Sequence, residues 1–556
     1  MSNDIAGIED NQALLVIGSD TTETHPIIGL RMQRAARKGA ALIVADPRRI
    51  KLVDDARLWL RHRPGTDAAL INSICHVILR DKLADQEFIE ERTENFDACA
   101  EAVADCTPDW AEQITGVPAA DIEKAAHLFA EAGQAGIYYT MGITQHTSGT
   151  NNVLTLANLA MLTGNLGKKG AGLNPLRGQN NVQGASDMGC VPVFLPGYQK
   201  VDNDEARARF EELWQQSLPA EPGLMATEMP HAIIDGRIKG MWIMGENPAL
   251  SDPNMTHACE AFEKLEFLVV QDIFLTETAE LADVVLPAAT FAEKNGTFTN
   301  TERRVQRIRR AVRPSDKVRD DLSIINMLSS RMHYGHAGLP STAYTSYRNR
   351  GDGGLSETPP LPEEVFEEMG RAWPNLAGMN YDRLEQDGLQ WPCPSTDHDG
   401  TSILFVDGFP RGRGMFSPVA WKGPSELPDS EYPLVLTTGR VLYQYHTGTM
   451  TRRSKVIEEA DSGAHVEINP ADAEKIGISN GDEIKAVSAA VRLPCRPRSR
   501  NGLMLGLFLF PFIIKRLQQT CLPMTPLTRC VKSPRPRSVR FVLKSIRNPG
   551  QKNVEQ

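Results

Sequence analysis

The segment Ala13–Ile17, with the sequence Ala-Leu-Leu-Val-Ile, is the strongest indicator of the fold. Five consecutive apolar residues are typical of a strand that is buried on both faces of a parallel sheet. The run ends in the polar string Gly-Ser-Asp-Thr-Thr-Glu-Thr-His-Pro at residues 18–26, and a basic, helix-like stretch begins near Ile28. A second apolar run, Ala41–Ala45, ends in Asp-Pro-Arg-Arg. These residues predict a βαβ unit whose polar strand ends meet at the crevice where α/β sheets bind ligands.

The same pattern, an apolar run followed by glycine, Asx, threonine or glutamine, recurs along the chain. Further strands are predicted at residues 136–140, 240–244, 267–270 and 282–286. Several such ends in succession indicate an extended cofactor across the carboxyl edges of two sheets. No G-x-G-x-x-G string is present, so the nicotinamide and flavin Rossmann fingerprint is excluded. We predict an α/β fold with two Rossmann-like parallel-sheet domains within residues 1–330, which switch near residues 177–190.

The rest of the chain has a different composition. Residues 331–430 are rich in proline and glycine and are predicted to form an irregular connection. Within residues 431–490, short strands near 434–436, 466–468 and 483–487 are separated by glycine-containing turns. This spacing predicts a small and incomplete C-terminal β-barrel domain.

Residues 175–185, Pro-Leu-Arg-Gly-Gln-Asn-Asn-Val-Gln-Gly-Ala, have neither helical nor strand periodicity. The segment combines Arg177 with two glycines and four carboxamide side chains. Carboxamides donate and accept hydrogen bonds, and glycine lets the backbone approach a ligand closely. Such a loop suits a large polar cofactor, and the Arg177 guanidinium can hold a small anion. The alternative is a surface turn rich in Asn and Gln, and composition alone does not separate the two.

Charge and cysteine usage exclude several classes of protein. The net charge is −10, but residues 491–556 carry 14 Lys and Arg against one acid, which leaves −23 on residues 1–490. An acidic body argues against nucleic-acid binding. The nine cysteines include no C-x-x-C, so no zinc or iron–sulfur ligand set and no disulfide framework is predicted, and we expect a reducing, cytoplasmic location. The first residues are polar, and the longest apolar run, 503–514, is too short to cross a bilayer.

Together these strings resemble the molybdopterin oxidoreductase (dimethyl sulfoxide reductase) family, and within it the formate dehydrogenase alpha subunits. The resemblance runs from Ile5 to about Val487. The segments that carry it are residues 18–26, 44–48, 141–145, 157–172, 174–185, 244–252, 271–287, 296–307 and 438–453. The form Arg-Gly-Gln-Asn-Asn at residues 177–181 is similar to that of formate dehydrogenases, whereas nitrate reductases carry a version like Thr-Gly-Gln-Pro.

The resemblance implies a metal, molybdenum or tungsten, held by two molybdopterin guanine dinucleotides, at which formate is oxidised to carbon dioxide. It implies that Arg177 is catalytic, since a guanidinium binds a carboxylate bidentately and would orient the C–H bond of formate. It implies iron–sulfur and flavin- or NAD-linked electron-transfer subunits as partners. The implied cofactor-binding residues are Gly18, Ser19, Asp20, Glu23, His25, Asp46, Arg48, Gly65, Asp67, Met141, Gly142, Gln145, Gln179, Gly245, Glu246, Asn247, Gln271, Asp272, Thr276, Arg440, Gln444, His446 and Thr447.

Some of these positions have specific expected roles and alternatives. Asp46 is expected to bind guanine or ribose, with a helix N-cap as the alternative. Glu23 and His25 are expected to face pyrophosphate or pterin. The residues expected to match the donor and acceptor edges of the pterin are Gln145, Gln179, Gln271 and Asp272. The residues expected where the β domain closes over the pterins are Arg440, Gln444, His446 and Thr447.

Two departures from the family pattern bear on activity. Members have a cysteine-rich segment that binds a [4Fe-4S] cluster, and a cysteine or selenocysteine that ligates the metal. No residue here matches either, so we assign no metal ligand and expect the cluster only in a full-length protein. We therefore expect this chain to be an inactive fragment of a catalytic subunit. The alternative is a non-catalytic pterin-binding pseudo-enzyme or scaffold, and the coding sequence upstream of Met1 separates the two.

The second departure is the basic segment 491–556. The codons of residues 524–529 can be read in the adjacent frame as Asn-Asp-Ala-Leu-Asp-Pro, a string similar to the end of the family's sequences. We therefore predict a frameshift near Ala489 and a tail without structure or function of its own. The alternative is a genuine basic tail that binds nucleic acid or membrane.

Overall fold

The computed structural model describes residues 1–332, 362–461, 465–482, 484–487, 492–499, 507–511 and 539–545. The chain forms two compact units. The first combines Met1–Leu176 with Ile403–Gln556, and the second is Arg177–Ser402. The division falls at Arg177, inside the segment where the switch between sheets was predicted. The predicted boundaries at 330 and 430 do not coincide with these units, because residues 403–430 belong to the first one.

The first unit contains a five-stranded, entirely parallel sheet. Its strands are β1 (Ala13–Ile17), β2 (Ala41–Ala45), β3 (Leu58–Leu60), β4 (Ala135–Tyr139) and β5 (Gly172–Pro175). Their order in the sheet is β3-β2-β1-β4-β5. β2 and β3 lie on one side of β1, and β4 and β5 lie on the other. The strand order therefore reverses between β1 and β4, and sheets of this kind usually bind ligands in the crevice beyond such a pair.

Helices cover both faces of this sheet. The side chains of β1 alternate: Leu15 and Ile17 belong to one core cluster, and Leu14 and Val16 to another. The helices of the first unit before residue 176 are Thr21–Thr24, Pro26–Arg37, Asp67–Arg80, Gln86–Arg92, Phe96–Val103, Pro108–Thr115, Ala119–Ala130, Met141–Thr144 and Gly149–Leu162, with 3-10 turns at Ala6–Asp10 and Lys51–Asp55. Burial on both faces agrees with the unbroken apolar runs that predicted these strands.

The second unit contains a smaller parallel sheet of β6 (Gly240–Met244), β7 (Phe267–Asp272) and β8 (Val284–Pro287), with β7 in the centre. An antiparallel sheet follows, made of β9 (Gly296–Thr299), β10 (Arg304–Ile308) and β11 (Leu389–Gln390). The helices of this unit are Val182–Asp187, Asp204–Trp214, Met229–Ile234, Pro248–Ser251, Met255–Phe262, Asp321–Arg331 and Pro362–Ala372, with 3-10 turns at Ala279–Leu281, Phe291–Glu293 and Pro374–Leu376. The two predicted parallel sheets are thus confirmed.

The predicted irregular connection, residues 331–430, lies partly outside the described residues. Its described part contains the helix Pro362–Ala372 and the strand β11, and is otherwise largely irregular. Gly414–Met415 forms a short parallel pair with Thr93–Glu94 in the first unit. A hairpin of two-residue strands, Phe194–Leu195 and Gln199–Lys200, belongs to the second unit.

The C-terminal strands form a closed six-stranded barrel. They are β12 (Leu434–Gly439), β13 (His465–Ile468), β14 (Ile484–Val487), β15 (Arg492–Ser499), β16 (Leu507–Pro511) and β17 (Val539–Ser545), in the order β12-β16-β13-β15-β14-β17. The helices Lys455–Ala460 and Pro470–Ile476 and the 3-10 turn Thr451–Arg453 connect the first strands. Three strands come from residues 491–556, where no structure was expected, so the β domain does not stop at 490. The frameshift hypothesis concerns the gene and remains a prediction. Within the described ranges, no helix is long and apolar enough to cross a bilayer.

The ends of β1 and β4 are held together by an unusually close backbone contact. Gly18 follows β1 with φ +58°, and its carbonyl oxygen accepts hydrogen bonds from Gly142 N–H (3.1 Å) and from Thr140 Oγ1 (2.7 Å). A Cβ atom on Gly142 would overlap the Gly18 carbonyl and lie 2.6 Å from the Gly18 Cα. Both obstacles are backbone atoms, so neither can move as a flexible side chain can.

We predict that Gly142→Ala lowers the free energy of unfolding by about 1–3 kcal/mol, because the added methyl overpacks this contact. Denaturant unfolding of the purified chain measures the change. Gly423→Ala, in the same unit, is the matched control, because a Cβ there would meet nothing closer than 3.8 Å. Equal stability of the two variants would show that the β1 and β4 ends can separate without cost.

Candidate functional site

The ends of β1 and β2 in the first unit bring three buried charged groups together. Asp20, Asp46 and Arg48 are 6%, 4% and 8% exposed. Arg48 Nε lies 3.4 Å from Asp46 Oδ1, and Arg48 Nη2 lies 3.7 Å from Asp20 Oδ2. Asp46 Oδ1 also accepts the Arg48 backbone N–H at 2.8 Å, which fixes the turn after β2. These three predicted residues form one cluster.

The local charge of this cluster is negative. Burial opposes the charge of Arg48, but Asp46 and Asp20, with Glu23 and Glu467 further away, raise the pKa of its guanidinium above the ordinary value. In the described part of the chain, the buried Arg48 Nη1 makes no hydrogen bond. An excess of carboxylates favours groups that offer N–H or O–H donors, such as guanine and ribose, over a phosphate.

The start of the helix Met141–Thr144 lies beside this cluster on the other side of the switch. Met141 and Gly142 follow β4, and Gln145 N–H donates to the Met141 carbonyl at 3.0 Å. Arg440, just after β12, lies with Nη2 4.0 Å from Met141 Sδ. Three predicted segments thus meet in this part of the first unit: the ends of β1 and β4, and the end of β12.

The polar residues of the turn after β1 contact one another. Ser19 Oγ lies 2.8 Å from Thr21 Oγ1, and His25 Nδ1 lies 2.8 Å from Thr24 Oγ1. Glu23 lies within the short helix Thr21–Thr24.

Asp67 pairs with a histidine that sequence reasoning missed. His62 Nε2 lies 3.0 Å from Asp67 Oδ1, and both side chains are buried. Burial opposes both charges, but their mutual hydrogen bond and attraction prevail, so the His62 pKa is raised and the Asp67 pKa is lowered. Gly65, in the turn between them, packs on Pro424 with φ +79°. Within the described residues, the Asp67 carboxylate is therefore engaged by the protein itself.

Two of the four predicted residues after β12 also bond within their own loop. Gln444 is buried: its Nε2 donates to the Asp461 carbonyl (3.1 Å), and its Oε1 accepts from Thr451 Oγ1 (2.6 Å). Thr447 Oγ1 lies 3.3 Å from Thr449 Oγ1. His446 has φ +54°, which is uncommon for residues other than glycine. Gln444 thus stabilises the loop that carries Arg440.

In the second unit, the loop that begins at Arg177 is anchored near its two ends. Arg177 N–H donates to Thr301 Oγ1 at 2.9 Å, and Asn181 Oδ1 accepts the Thr299 N–H at 2.9 Å. Both partners belong to the β9–β10 hairpin. Arg177 is half-buried, whereas Gln179 is exposed. The hairpin therefore fixes the backbone of the loop and leaves its centre accessible.

The ends of β6 and β7 form the other predicted cluster of this unit. Gly245 N–H donates to the Gln271 carbonyl at 2.9 Å, and its φ is +61°. Among the described residues, no atom lies within 4 Å of the position that a Cβ would take. Gln271 is fully buried; its Nε2 donates to Asp321 Oδ1 at 2.7 Å. Gln271 Oε1 has no hydrogen-bond donor among the described residues. Gln271 and Gly245 thus lie together at the carboxyl edge of the sheet.

The other predicted residues of this edge have partners nearby. Asn247 is buried: its Nδ2 donates to Glu277 Oε2 (2.8 Å), and its Oδ1 accepts from Thr278 Oγ1 (2.8 Å). Asp272 Oδ1 accepts the Ile273 N–H at 2.6 Å. Thr276 Oγ1 accepts the Ala279 N–H at 3.2 Å, and Glu246 is exposed. The described residues contain no group of three or more His, Cys, Asp or Glu that could hold a metal ion.

We predict that Arg48→Met lowers the free energy of unfolding by about 3–5 kcal/mol, because it leaves two buried carboxylates without their cation. The neighbouring Arg49 is the matched control. Its ion pair with Asp54 is about half exposed, so Arg49→Met should cost less than about 1 kcal/mol. Denaturant unfolding of both variants measures the difference, and equal losses would show that the Arg48 cluster is hydrated.

Two family models match the chain. The model described as molybdopterin oxidoreductase matches residues 1–331, and the molybdopterin dinucleotide binding domain matches residues 434–513. The second match covers β12 to β16 and therefore continues beyond residue 490. The two matches therefore cover most of the first unit, a large part of the second and part of the barrel.

Individual proteins agree with the family models. The chain is 44% identical to the F420-dependent formate dehydrogenase subunit alpha of Methanocaldococcus jannaschii over 539 residues, covering 96% of this chain and 76% of that protein. It is 38% identical to formate dehydrogenase H of Escherichia coli, covering 86% of this chain and 65% of that protein. Acetylene hydratase from Pelobacter acetylenicus shares the fold, with a TM-score of 0.67 at 20% identity, over 91% of this chain and 73% of that one. The chain is a member of the molybdopterin oxidoreductase family.

Proposed function

We propose that this chain is the catalytic part of a formate dehydrogenase, which oxidises formate to carbon dioxide with a bis(molybdopterin guanine dinucleotide) cofactor of molybdenum or tungsten. The observation that carries the proposal is Arg177, held at the start of a carboxamide-rich loop in a chain whose relatives include formate dehydrogenase alpha subunits. A [4Fe-4S] cluster is proposed for the full-length protein only.

The strand ends suit a large polar cofactor. Buried polar atoms normally have hydrogen-bond partners. Arg48 Nη1 and Gln271 Oε1 are buried, and neither bonds to another described residue. One is a donor and the other an acceptor, and each lies in a cluster of residues predicted to bind the cofactor. A pterin or guanine ring carries both kinds of complementary group.

The residues of each unit would hold different parts of the cofactor. In the first unit, Asp20 and Asp46 would accept the N–H or O–H groups of guanine or ribose, and Arg48 lies within 4 Å of both carboxylates. In the second unit, Gln271 Oε1 would accept a ring N–H while its Nε2 remains bound to Asp321. Gly245 would let the backbone approach the ligand, since no atom of the described residues lies within 4 Å of the position that a Cβ would take. The bound cofactor would supply the metal centre that accepts the two electrons of formate.

Arg177 would bind and orient the substrate. Its guanidinium is permanently charged and presents paired donors, which match the two oxygens of formate. The bond from Arg177 N–H to Thr301 fixes the backbone from which the side chain extends. With both formate oxygens bound to the guanidinium, the C–H bond would point away from Arg177, so formate would bind in one orientation.

The electrons would pass to partner subunits. We propose iron–sulfur and flavin- or NAD-linked subunits in the cytoplasm. The methanogen relatives carry F420 in their names, so F420 is the second acceptor to test. Reconstitution with each acceptor, measured as formate-dependent reduction, separates the two.

We predict that Arg177→Lys, in a full-length version with the metal ligand and cluster, loses about 30- to 100-fold in kcat/KM for formate. Lysine keeps the charge but loses the paired donors, and a charge-assisted contact is worth about 2–3 kcal/mol. Metal and pterin contents should not change. Formate kinetics and cofactor analysis together decide the result.

Arg209→Lys is the matched control for this substitution, because Arg209 is exposed on the helix Asp204–Trp214. Unchanged formate kinetics in Arg177→Lys would remove Arg177 from the active site. Loss of bound pterin in that variant would make Arg177 a cofactor ligand.

A further inference from the structure

The helix that follows the Arg177 loop, Val182–Asp187, ends on a buried carboxylate that the sequence did not single out. Asp187 is 2% exposed. Its Oδ1 accepts hydrogen bonds from Gln183 Nε2 (2.7 Å) and Tyr198 Oη (2.8 Å), and its Oδ2 accepts one from Trp391 Nε1 (2.8 Å). All three donors are neutral. Burying a carboxylate costs free energy unless hydrogen bonds and a positive charge offset the lost hydration. The three neutral donors supply the hydrogen bonds but not the charge.

A positive charge that acts on this carboxylate comes from Arg177. Burial raises the pKa of Asp187, while its three donors and the charge of Arg177 counteract the rise in part. Arg177 likewise lowers the Tyr198 pKa against the rise that burial and Asp187 cause. The buried anion and the half-buried cation therefore interact within one unit, ten residues apart in sequence.

The same residues form a closed chain of contacts around the loop. The backbone N–H of Trp391 donates to the Arg303 carbonyl at 3.2 Å, and the Arg303 guanidinium lies over the Trp391 ring, 5.4 Å from its centroid. Arg303 follows Thr301 by two residues in the β9–β10 turn, and Thr301 accepts the Arg177 N–H. The loop is thus bound at its start by Thr301 and, through its helix, at its end by Trp391.

We propose that Asp187 is a positioning residue for Arg177: its carboxylate ties the helix Val182–Asp187 to Tyr198 and Trp391, and its negative charge balances the Arg177 guanidinium that holds formate. Only the part that concerns formate, the balance of the Arg177 charge, rests on the proposed function. The first half, the fixing of the loop, holds for any role of Arg177.

Position 187 requires a carboxylate because all three side chains bonded to it donate hydrogen bonds. In Asp187→Asn, the amide oxygen can still accept from Gln183 and Tyr198. The amide nitrogen then opposes Trp391 Nε1, and two donors face each other. Trp391→Phe removes the donor but leaves the charge. The two substitutions therefore separate the hydrogen bond from the charge.

The first experiment is amide hydrogen exchange on the 556-residue chain, followed in peptides that cover residues 177–187. Asp187→Asn and Trp391→Phe should each accelerate exchange there by about tenfold or more, since each breaks the bond that closes the loop. The double variant should be no faster than Asp187→Asn alone. Ser186→Ala is the matched control on the same helix, because the Ser186 hydroxyl donates to the Val182 carbonyl within the helix itself. Unchanged exchange in Asp187→Asn overturns the proposal.

The second experiment is formate kinetics in the full-length enzyme. Removing the Asp187 charge leaves Arg177 less compensated, so Asp187→Asn should lower the formate KM by about two- to fourfold while kcat falls. Trp391→Phe should lower kcat and leave KM unchanged. A merely structural role would change the amount of loaded enzyme in both variants without this KM difference. Equal KM values in the two variants overturn the charge role.

The two experiments also separate this inference from the proposed function. Faster exchange in Asp187→Asn, together with normal formate kinetics in Arg177→Lys, would retain the positioning role and reject formate binding at Arg177. Unchanged exchange in Asp187→Asn, together with impaired Arg177→Lys, would reject the positioning role and retain the formate site.

Discussion

The burial of β1, β2 and β4 on both faces is the constraint on which the rest of the structure depends. A strand covered by helices on each side can carry only apolar side chains, so the polar residues of these segments lie where the strands end. In the first unit those ends bring Gly18, Asp20, Asp46 and Arg48 to one edge. The close Gly18–Gly142 contact then holds the two sides of the switch together. The sheet therefore determines where a ligand can bind before any residue is specialised for it.

Buried charges in this protein are stabilised in two different ways. Arg48 lies between two carboxylates, and His62 is hydrogen-bonded to Asp67, which raises the His62 pKa, so in both cases a carboxylate lies within about 4 Å. The Asp187 carboxylate instead accepts hydrogen bonds from neutral donors, and the charge of Arg177 offsets part of the rise in its pKa that burial causes. The first arrangement favours a rigid local fold, because each buried charge has an adjacent partner.

The fold was predictable from the sequence to a large extent, because the signals are local. The apolar run of β1 and the polar turn after it are contiguous, and their pattern reports burial directly. The same holds for β7, which ends at the predicted Gln271 and Asp272. The end of the barrel was not predicted, since β15 contains two prolines and three arginines, and β16 is a short apolar run that ends in proline.

The candidate site was less predictable, because side-chain partners are set by tertiary contacts. Trp391 donates a hydrogen bond to Asp187 although 204 residues separate them in sequence, and no local pattern predicts that pair. Asn247 and Gln444 have side chains typical of cofactor ligands, yet both bond to neighbouring protein groups. An i, i+5 pair such as His62 and Asp67 was visible in the sequence, but it fits no helical or strand period.

The proposed function requires that the strand ends of this chain bind a pterin guanine dinucleotide. The most direct test is the pterin and guanosine monophosphate content of the purified 556-residue chain, expressed in a host that makes the cofactor. Both should co-purify with the chain in equal amounts. A folded chain that carries neither pterin nor guanine nucleotide would contradict the proposed function.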